Sequence, residues 1–372
     1  SGAYRITQDI EIPGLDELKI RAAQGTAGIR PGFSWQYETF SVSGGNASKS
    51  SLGNRNLKPS QTKETEFAIN GTVSSLVDFE FIYSQSTTTD QFLNVPLLPL
   101  AGFNSQWRNA GQIDSESFEV NLQSSIINER DMSWDVGVTW SKSDQTIGEL
   151  DVPPYQSGPG GLFYIREGEE YGAIYGFDWV KSLDQMAQQL GEGETIDDYE
   201  VNSDGYVIPA GTEGTVDETP IKLLDENGDD AFVQIGNGRP DWTAGISNTF
   251  RYKGFSAYVL VDIKKGGDVY NRKSQWLTRD SRNGIMDQSG KPEAKKKAYD
   301  YYQGFYDVNT NNAYWVEDAG YVKLREVSLS YDFSQEQLST LTGGALKGAT
   351  ISAIGRNLLT FSDYSGYDPE VG

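Results

Sequence analysis

From Met132 to Trp140, apolar and polar residues alternate without a break. Met132, Trp134, Val136, Val138 and Trp140 fall on one parity, and Ser133, Asp135, Gly137 and Thr139 on the other. A repeat of two is that of a β-strand, whose successive side chains point to opposite faces. Just upstream, Phe118, Val120 and Leu122 alternate with Glu119, Asn121 and Gln123, and Asn128-Glu129-Arg130-Asp131 supplies a polar turn between the two runs. The pattern recurs at Phe67–Val73 and Val77–Tyr83 around Ser74-Ser75, and at Trp242–Phe250 and Phe255–Ile263 around Tyr252-Lys253-Gly254. Leu18, Ile20 and Ala22 open the series, and Val322–Phe333 and Ala349–Phe361 close it. The phase slips near Glu326, which predicts a β-bulge. The pattern supports roughly eight to ten strands.

Between these hairpins lie long segments, at 26–62, 86–116, 142–241 and 264–320. Within them, Asp184–Leu190 and the lysine-rich run Lys291–Lys297 ahead of Tyr299, Tyr301 and Tyr302 have the composition of short helices. Compact soluble domains rarely carry structureless loops of this length. Short turns alternating with long loops are the habit of outer-membrane barrels, whose long loops face outward. No apolar stretch is long enough for a membrane helix, but a membrane strand needs only about 9–11 residues with one apolar face. Trp134 with Trp140, and Trp242 with Tyr252, bracket their strands as interfacial girdles do. The expected fold is therefore all-β: part of a large transmembrane antiparallel β-barrel with long extracellular loops. A secreted β-sandwich or propeller with decorated loops is the competing architecture, and it predicts a chain released without detergent.

Composition narrows the chemistry. With 53 acidic and 31 basic residues the net charge is −22, which repels a phosphate backbone and argues against nucleic acid as a partner. The chain has no Cys and no His, which removes thiolate and imidazole metal sites and Ser-His-Asp catalysis within it. No enzyme activity is expected. The chain begins Ser1-Gly2-Ala3-Tyr4 and stops at Glu370-Val371-Gly372, and both ends read as cuts through a longer protein.

Candidate binding residues are the aromatics of the long segments: Trp107, Tyr155, Tyr164, Tyr171, Tyr175 and Trp179, with Phe163 and Phe177. Such rings stack on sugar rings at a barrel mouth, and the same rings serve loop packing. Asp225-Glu226-Asn227-Gly228-Asp229-Asp230 resembles the first half of a calcium loop, with Asp225, Asn227 and Asp229 as the candidate ligands. It lacks the closing Glu of an EF-hand, and a solvated Asx turn is the competing reading. Glu167, Glu169 and Glu170 evoke glycosidase carboxylates, but in so acidic a chain they carry little weight. Gly158-Pro159-Gly160-Gly161 is not a phosphate loop, since no Lys-Ser/Thr follows it.

A series of short words, in order along most of the chain, resembles the C-terminal half of SusC/RagA-type TonB-dependent transporters. They begin with Leu18–Gly25, Asn56-Leu57-Lys58-Pro59 and Trp107–Gly111, and continue with Ile235-Gly236-Asn237, Pro240–Thr243 and Gly266–Asn271. Tyr321–Val327, Gly355-Arg356-Asn357-Leu358 and Gly366–Glu370 complete the set. By residue chemistry these words are structural, with turn formers at strand ends and inward charges in Lys323-Leu324-Arg325-Glu326. The resemblance implies a barrel of about 22 strands filled by a plug. It implies that residues 1–372 are a partial barrel, with the plug and the final strand lying outside them. It also implies import at the outer membrane driven by TonB through that plug, with a SusD-like lipoprotein over the mouth. Oligosaccharides come first as cargo and oligopeptides second. The alternative is a SusC-like barrel reused as a scaffold subunit of a larger outer-membrane complex.

Overall fold

The computed structural model describes residues 1–307 and 309–370. Val371 and Gly372, on which the reading of a cut C-terminal end falls, lie outside them. Ten strands form one antiparallel sheet in chain order: β1 (Gly2–Arg5), β2 (Leu15–Ile29), β3 (Ser60–Val73), β4 (Val77–Thr89), β5 (Gly111–Glu129), β6 (Met132–Leu150), β7 (Trp242–Tyr252), β8 (Phe255–Lys265), β9 (Tyr321–Phe333) and β10 (Ala349–Phe361). All strands expected from alternation are present. β1 is additional, and at four residues it is too short to show a period.

The register turns the alternation into two faces. Tyr4, Ile20, Ile69, Phe81, Val120, Trp140, Ala244, Ile263, Val322 and Phe361 pair edge to edge across all ten strands. One residue along, the row reads Arg5, Lys19, Asn70, Glu80, Asn121, Thr139, Gly245, Asp262, Lys323 and Thr360. One face is thus an unbroken apolar band and the other carries no apolar side chain in the adjacent row. Ile20, Ile69, Phe81, Val322 and Phe361 of the apolar row are 41–64% exposed, so the band has no protein core to enter.

The strands run further than their apolar stretches. β5 and β6 are 19 residues each, about twice what the hydrocarbon layer needs. The excess lies at the end with the long connections and is polar, and cross-strand side-chain bonds join it. Thr62 meets Thr88 at 2.9 Å, Ser84 meets Ser117 at 2.8 Å, and Thr87 donates to Asp114 at 2.8 Å. The long connections are correspondingly shorter than alternation alone suggested, at 30–59, 90–110, 151–241 and 266–320. The backbone ladder satisfies its own donors and acceptors in water as in lipid, so strand pairing outlasts the apolar pattern.

At the opposite end the turns are tight. Ser74, Ser75 and Lys253 take left-handed φ values of 49°, 53° and 53°. The connections 6–14 and 334–348 at this end are longer, and the second holds an α-helix.

The long connections fold on themselves. Ser51–Leu52, Phe92–Pro96 and Ser105–Asn109 make a small sheet that ties the first connection to the second. The third holds a four-stranded sheet (Tyr155–Ser157, Phe163–Ile165, Ala173–Gly176 and Val233–Asn237) and the short helix α1, Leu183–Met186. The fourth carries α2 (Arg272–Arg279) and α3 (Tyr299–Tyr306). The helix expected near Lys291–Lys297 lies instead in the tyrosines after it, because those side chains have a core to enter. That core is Trp179, Tyr206, Tyr301, Tyr302, Phe305 and Trp315, and it joins the third connection to the fourth. Gly304 in α3 allows the contact, since a Cβ there would stand 2.7 Å from the Trp179 ring. α4 (Gln335–Thr342) occupies the connection between β9 and β10.

Candidate functional site

Two places gather polar chemistry: the polar face of the wall near the long-loop end, and the lobe built by the last two long connections.

On the wall, several of the sequence words converge. Lys323 projects from β9 and is 2% exposed, and its Nζ lies 2.7 Å from Asp368 and 2.6 Å from Glu370. Arg325 donates to Asp262 of β8 through Nε at 2.8 Å and Nη2 at 2.5 Å, and it also grips Glu370. The Tyr321 hydroxyl lies within hydrogen-bond distance of Asp262 and Glu370, at 3.2 and 3.1 Å. Register slips on both sides of β9 at the expected bulge, which leaves Arg325 unpaired between Leu324 and Glu326. On the partner strand, Asn357 absorbs the slip with a φ of 49°. Arg356 then pairs with Glu326 at 3.0 Å. Lys323-Leu324-Arg325-Glu326, Gly355-Arg356-Asn357-Leu358 and the Asp368–Glu370 end are therefore one ionic clamp, folding the segment after β10 back on the wall. Hydrogen bonds from Arg325 hold the Glu370 carboxyl down to about 2. A neighbouring knot joins further words. Asn271, fully buried, donates to Glu317 at 2.8 Å and to Ser365 at 3.0 Å, and the Asn237 backbone N–H donates to Asp268 at 2.7 Å.

The loop aromatics divide into two groups. Trp179 and Tyr175 are buried, the first in the lobe core and the second against Tyr164 and Phe232. Trp107 stacks on Trp35 with centroids 3.9 Å apart. Tyr155 and Tyr164 are half-buried, and Tyr171 is the most open of the six at 39% exposed. The six do not converge on one surface, and packing accounts for the buried ones. Alternation in sequence does not reveal a core made of irregular chain, so ring-rich loops look like a surface until folded.

A cleft of about 350 Å³ opens between the start of the third connection and α2, lined by Leu162, Tyr270, Arg272, Trp276 and Tyr306. Trp276 is 46% exposed, and the guanidiniums of Arg272 and Arg279 lie 5.2 and 5.0 Å from its ring centroid. The sequence signal was available in Arg272–Arg279, a short helix with Trp276 between two arginines, but it has no distinctive spacing.

An ionic interlock, unread in sequence, joins the third and fourth connections. Lys297 lies 2.7 Å from Asp204 and 2.8 Å from Glu218, whose side chain is fully buried. Asn202 donates to Glu218 at 2.7 Å, the Gly214 N–H donates to it at 2.6 Å, and the Tyr301 hydroxyl donates to Asp204. Burial pushes Asp204 up, but the bonds from Lys297 and Tyr301 outweigh it and hold the carboxyl below its usual range. Burial likewise works against the Lys297 charge, and the two carboxylates overcome it to raise the ammonium above its ordinary value.

The calcium-like word forms a hydrogen-bonded turn. Asp225 Oδ1 accepts the backbone N–H groups of Asn227 at 2.8 Å and Asp229 at 3.0 Å, while Asp230 pairs with Lys222 at 2.6 Å. Among the described residues no group of three acidic side chains is disposed to hold a metal. Glu169 is taken by Arg166, and Glu170 accepts from Asn237. Hydrogen bonding from Arg166 holds the Glu169 carboxyl below its usual range.

An antiparallel wall with one lipid-suited face, one polar face, and folded lobes at one end defines a class: the multi-pass β-barrels of the bacterial outer membrane. Comparison with known proteins shows what the chain resembles. No family model matches the chain. It is 26% identical over 331 residues to TonB-dependent receptor P3 of Formosa agariphila, covering 86% of this chain and 31% of that protein. It is 26% identical over 326 residues to TonB-dependent receptor P39 of the same organism, covering 77% of this chain and 30% of that one. The structure of the RagAB peptide transporter superposes on all of this chain with a TM-score of 0.71 at 17% identity, covering 40% of that chain. The RagAB importer in its open-open state gives 0.67 at 18% identity. The chain is thus similar in sequence to TonB-dependent receptors and shares the barrel fold of the RagAB structures, which is the fold of an outer-membrane protein. It spans about a third of the length of the curated relatives it matches, 31% and 30% for these two.

Proposed function

We propose that the chain forms wall and mouth of an outer-membrane nutrient importer, energised by TonB through a plug and capped by a SusD-like lipoprotein. The observation that carries this is the pair of ten-residue rows, one apolar and one polar, continued above the membrane by folded lobes. The polar row supplies a hydrated inner surface, and the lobes supply surface for cargo and cap. The relatives are receptors and the structural neighbours transporters, none of them described as an enzyme. For cargo, oligosaccharide is the first assignment and oligopeptide the second. The open ring of Tyr171 and the Trp276 cleft suit stacking on either, while Arg272 adds a donor for carboxylates.

The test uses the full-length receptor in its own host. Uptake of labelled oligosaccharides and oligopeptides is followed in cells with the receptor, without it, and without TonB. Import requires uptake of one class to vanish in both deletions, and Trp276→Ala to weaken it several-fold. Uptake that persists unchanged without the receptor or without TonB overturns import. Stable co-purification with non-cap partners would then point to the scaffold role.

A further inference from the structure

At the short-turn end the connections are 6–14, 74–76, 130–131, 253–254 and 334–348, and the last is the longest and carries α4. The helix is well specified. Ser334 Oγ accepts the Gln337 N–H at 3.3 Å, and Gln337 Oε1 accepts the Ser334 N–H at 2.8 Å, a capping box. The same Gln337 donates through Nε2 to the Tyr331 hydroxyl at 2.6 Å. That bond decides where the helix lies. Tyr331 belongs to the apolar face, in register with Phe255 and Ile351 and between Leu329 and Phe333 along its strand. α4 is therefore held on the lipid side of the wall and not over the lumen.

The faces of α4 agree with that position. Leu338 and Leu341 are three residues apart and share a helix face with Gln337. Leu338 is buried, while Leu341 is 70% exposed and Leu346, just beyond the helix, is also exposed. Gln335, Glu336, Ser339 and Thr340 make the other face polar. The exposed leucines continue a girdle in which the Phe255 and Tyr331 rings are 4.5 Å apart and the Tyr331 and Phe333 rings 4.8 Å apart.

We propose that α4 is an interfacial helix seated in the periplasmic leaflet of the outer membrane, with Leu341 and Leu346 at the boundary of headgroups and acyl chains. Lipid is the occupant because the leucines are continuous with the lipid-facing belt and the Gln337–Tyr331 bond fixes the helix to that belt. Free helices this short bind membranes poorly, but β9 and β10 hold α4 at both ends, so its affinity need not be its own.

The chain has no cysteine, so single labels are unambiguous within it. The full-length receptor, with any cysteine elsewhere replaced, would carry a nitroxide at Leu341→Cys or Leu346→Cys. Leu329→Cys marks the lipid face and Glu336→Cys the polar face of α4. After reconstitution into phosphatidylethanolamine–phosphatidylglycerol vesicles, collision rates with oxygen, enriched in lipid, and with a water-soluble nickel chelate are compared. The expected oxygen-to-nickel ratio at Leu341→Cys and Leu346→Cys is several times that at Glu336→Cys and close to that at Leu329→Cys. Adding Gln337→Ala should lower the ratio at Leu341→Cys toward the polar control. A ratio at both leucine positions equal to that at Glu336→Cys overturns the proposal, because the helix then stands in water. Protection from both reagents also overturns it, because protein then covers the helix.

Discussion

The wall and the lobe place the same kinds of side chain in opposite ways. On the wall, Ile20, Ile69 and Phe81 point away from the protein and are 42–47% exposed. In the lobe, Trp179, Phe305 and Trp315 are each 3% exposed. The difference is the solvent. A strand between lipid and a wet lumen satisfies both faces without a second layer, so its apolar side chains need no protein partner. The lobe stands in water and must bury its own rings, and it does so with chain that is mostly irregular. Polar groups reverse in the same way. On the wall the lumen-facing Asp262 and Arg325 stay partly accessible, at 28% and 22%, and Lys323 is covered, whereas Glu218 in the lobe is sealed in and depends on Lys297.

The largest effect should therefore come from breaking the lobe's buried pair. Lys297→Met leaves Glu218 charged and unpaired, and removing one partner of a buried pair costs about 3–5 kcal/mol. Hydrogen exchange should rise sharply across 201–218 and 297–305, while β5 and β6 stay protected. Adding Glu218→Gln should recover part of the loss. Unchanged exchange in the single variant would mean that the aromatic core alone holds the lobe. Next comes a charge on the apolar band of the wall. Ile69→Arg should destabilise the barrel in lipid by about 2–4 kcal/mol, and Asn70→Arg, one residue along on the lumen face, by far less. Urea unfolding of the full-length receptor in vesicles reads both, and equal costs would break the two-face assignment.

These differences explain what the sequence disclosed. Alternation located nine of the ten strands, the tight turns and the bulge at Arg325, because lipid on one side and water on the other write a period of two. It stopped at the membrane surface, so the polar upper halves of β4, β5 and β6 read as loop. In the lobe no period exists. Trp179 and Tyr175, candidates for binding or for loop packing, are buried, and Lys297, in a run that suited a solvated helix, is the interlock. The sequence words did mark an ionic clamp, but its members lie on strands and a terminal segment that only folding brings together. Gly304 was equally silent. Its missing Cβ makes room for Trp179, so Gly304→Ala should overpack the lobe at a cost of about 1–3 kcal/mol, read by the same exchange experiment. No change in lobe exchange would show that α3 can shift to admit a methyl group.

The smallest effect separates the two regions by pH. Asp204 has its carboxyl held below the usual range in the folded lobe. Its contribution is thus complete above the unfolded carboxylate value of about 3.9 and fades as pH falls through the folded one. Lys297 is shifted upward, so its contribution is complete below about 10.4 and fades as pH rises through its folded value. The interlock is then whole between roughly pH 4 and pH 10. Asp204 is 44% exposed, so solvent screening keeps its share small. The wall behaves differently, because the Arg325 guanidinium holds Glu370 down to about 2 and its clamp persists to about that pH. Lowering the pH from 5 toward 3 should therefore leave Glu370 ionised and the segment at 362–370 protected, while 201–218 is followed in the same samples after correction for intrinsic exchange. In Asp204→Asn the acid limb of the lobe should flatten while that of the clamp stays. If both regions loosen together in the unsubstituted receptor, the clamp and the interlock are one cooperative unit, and the division into wall and lobe fails at that junction.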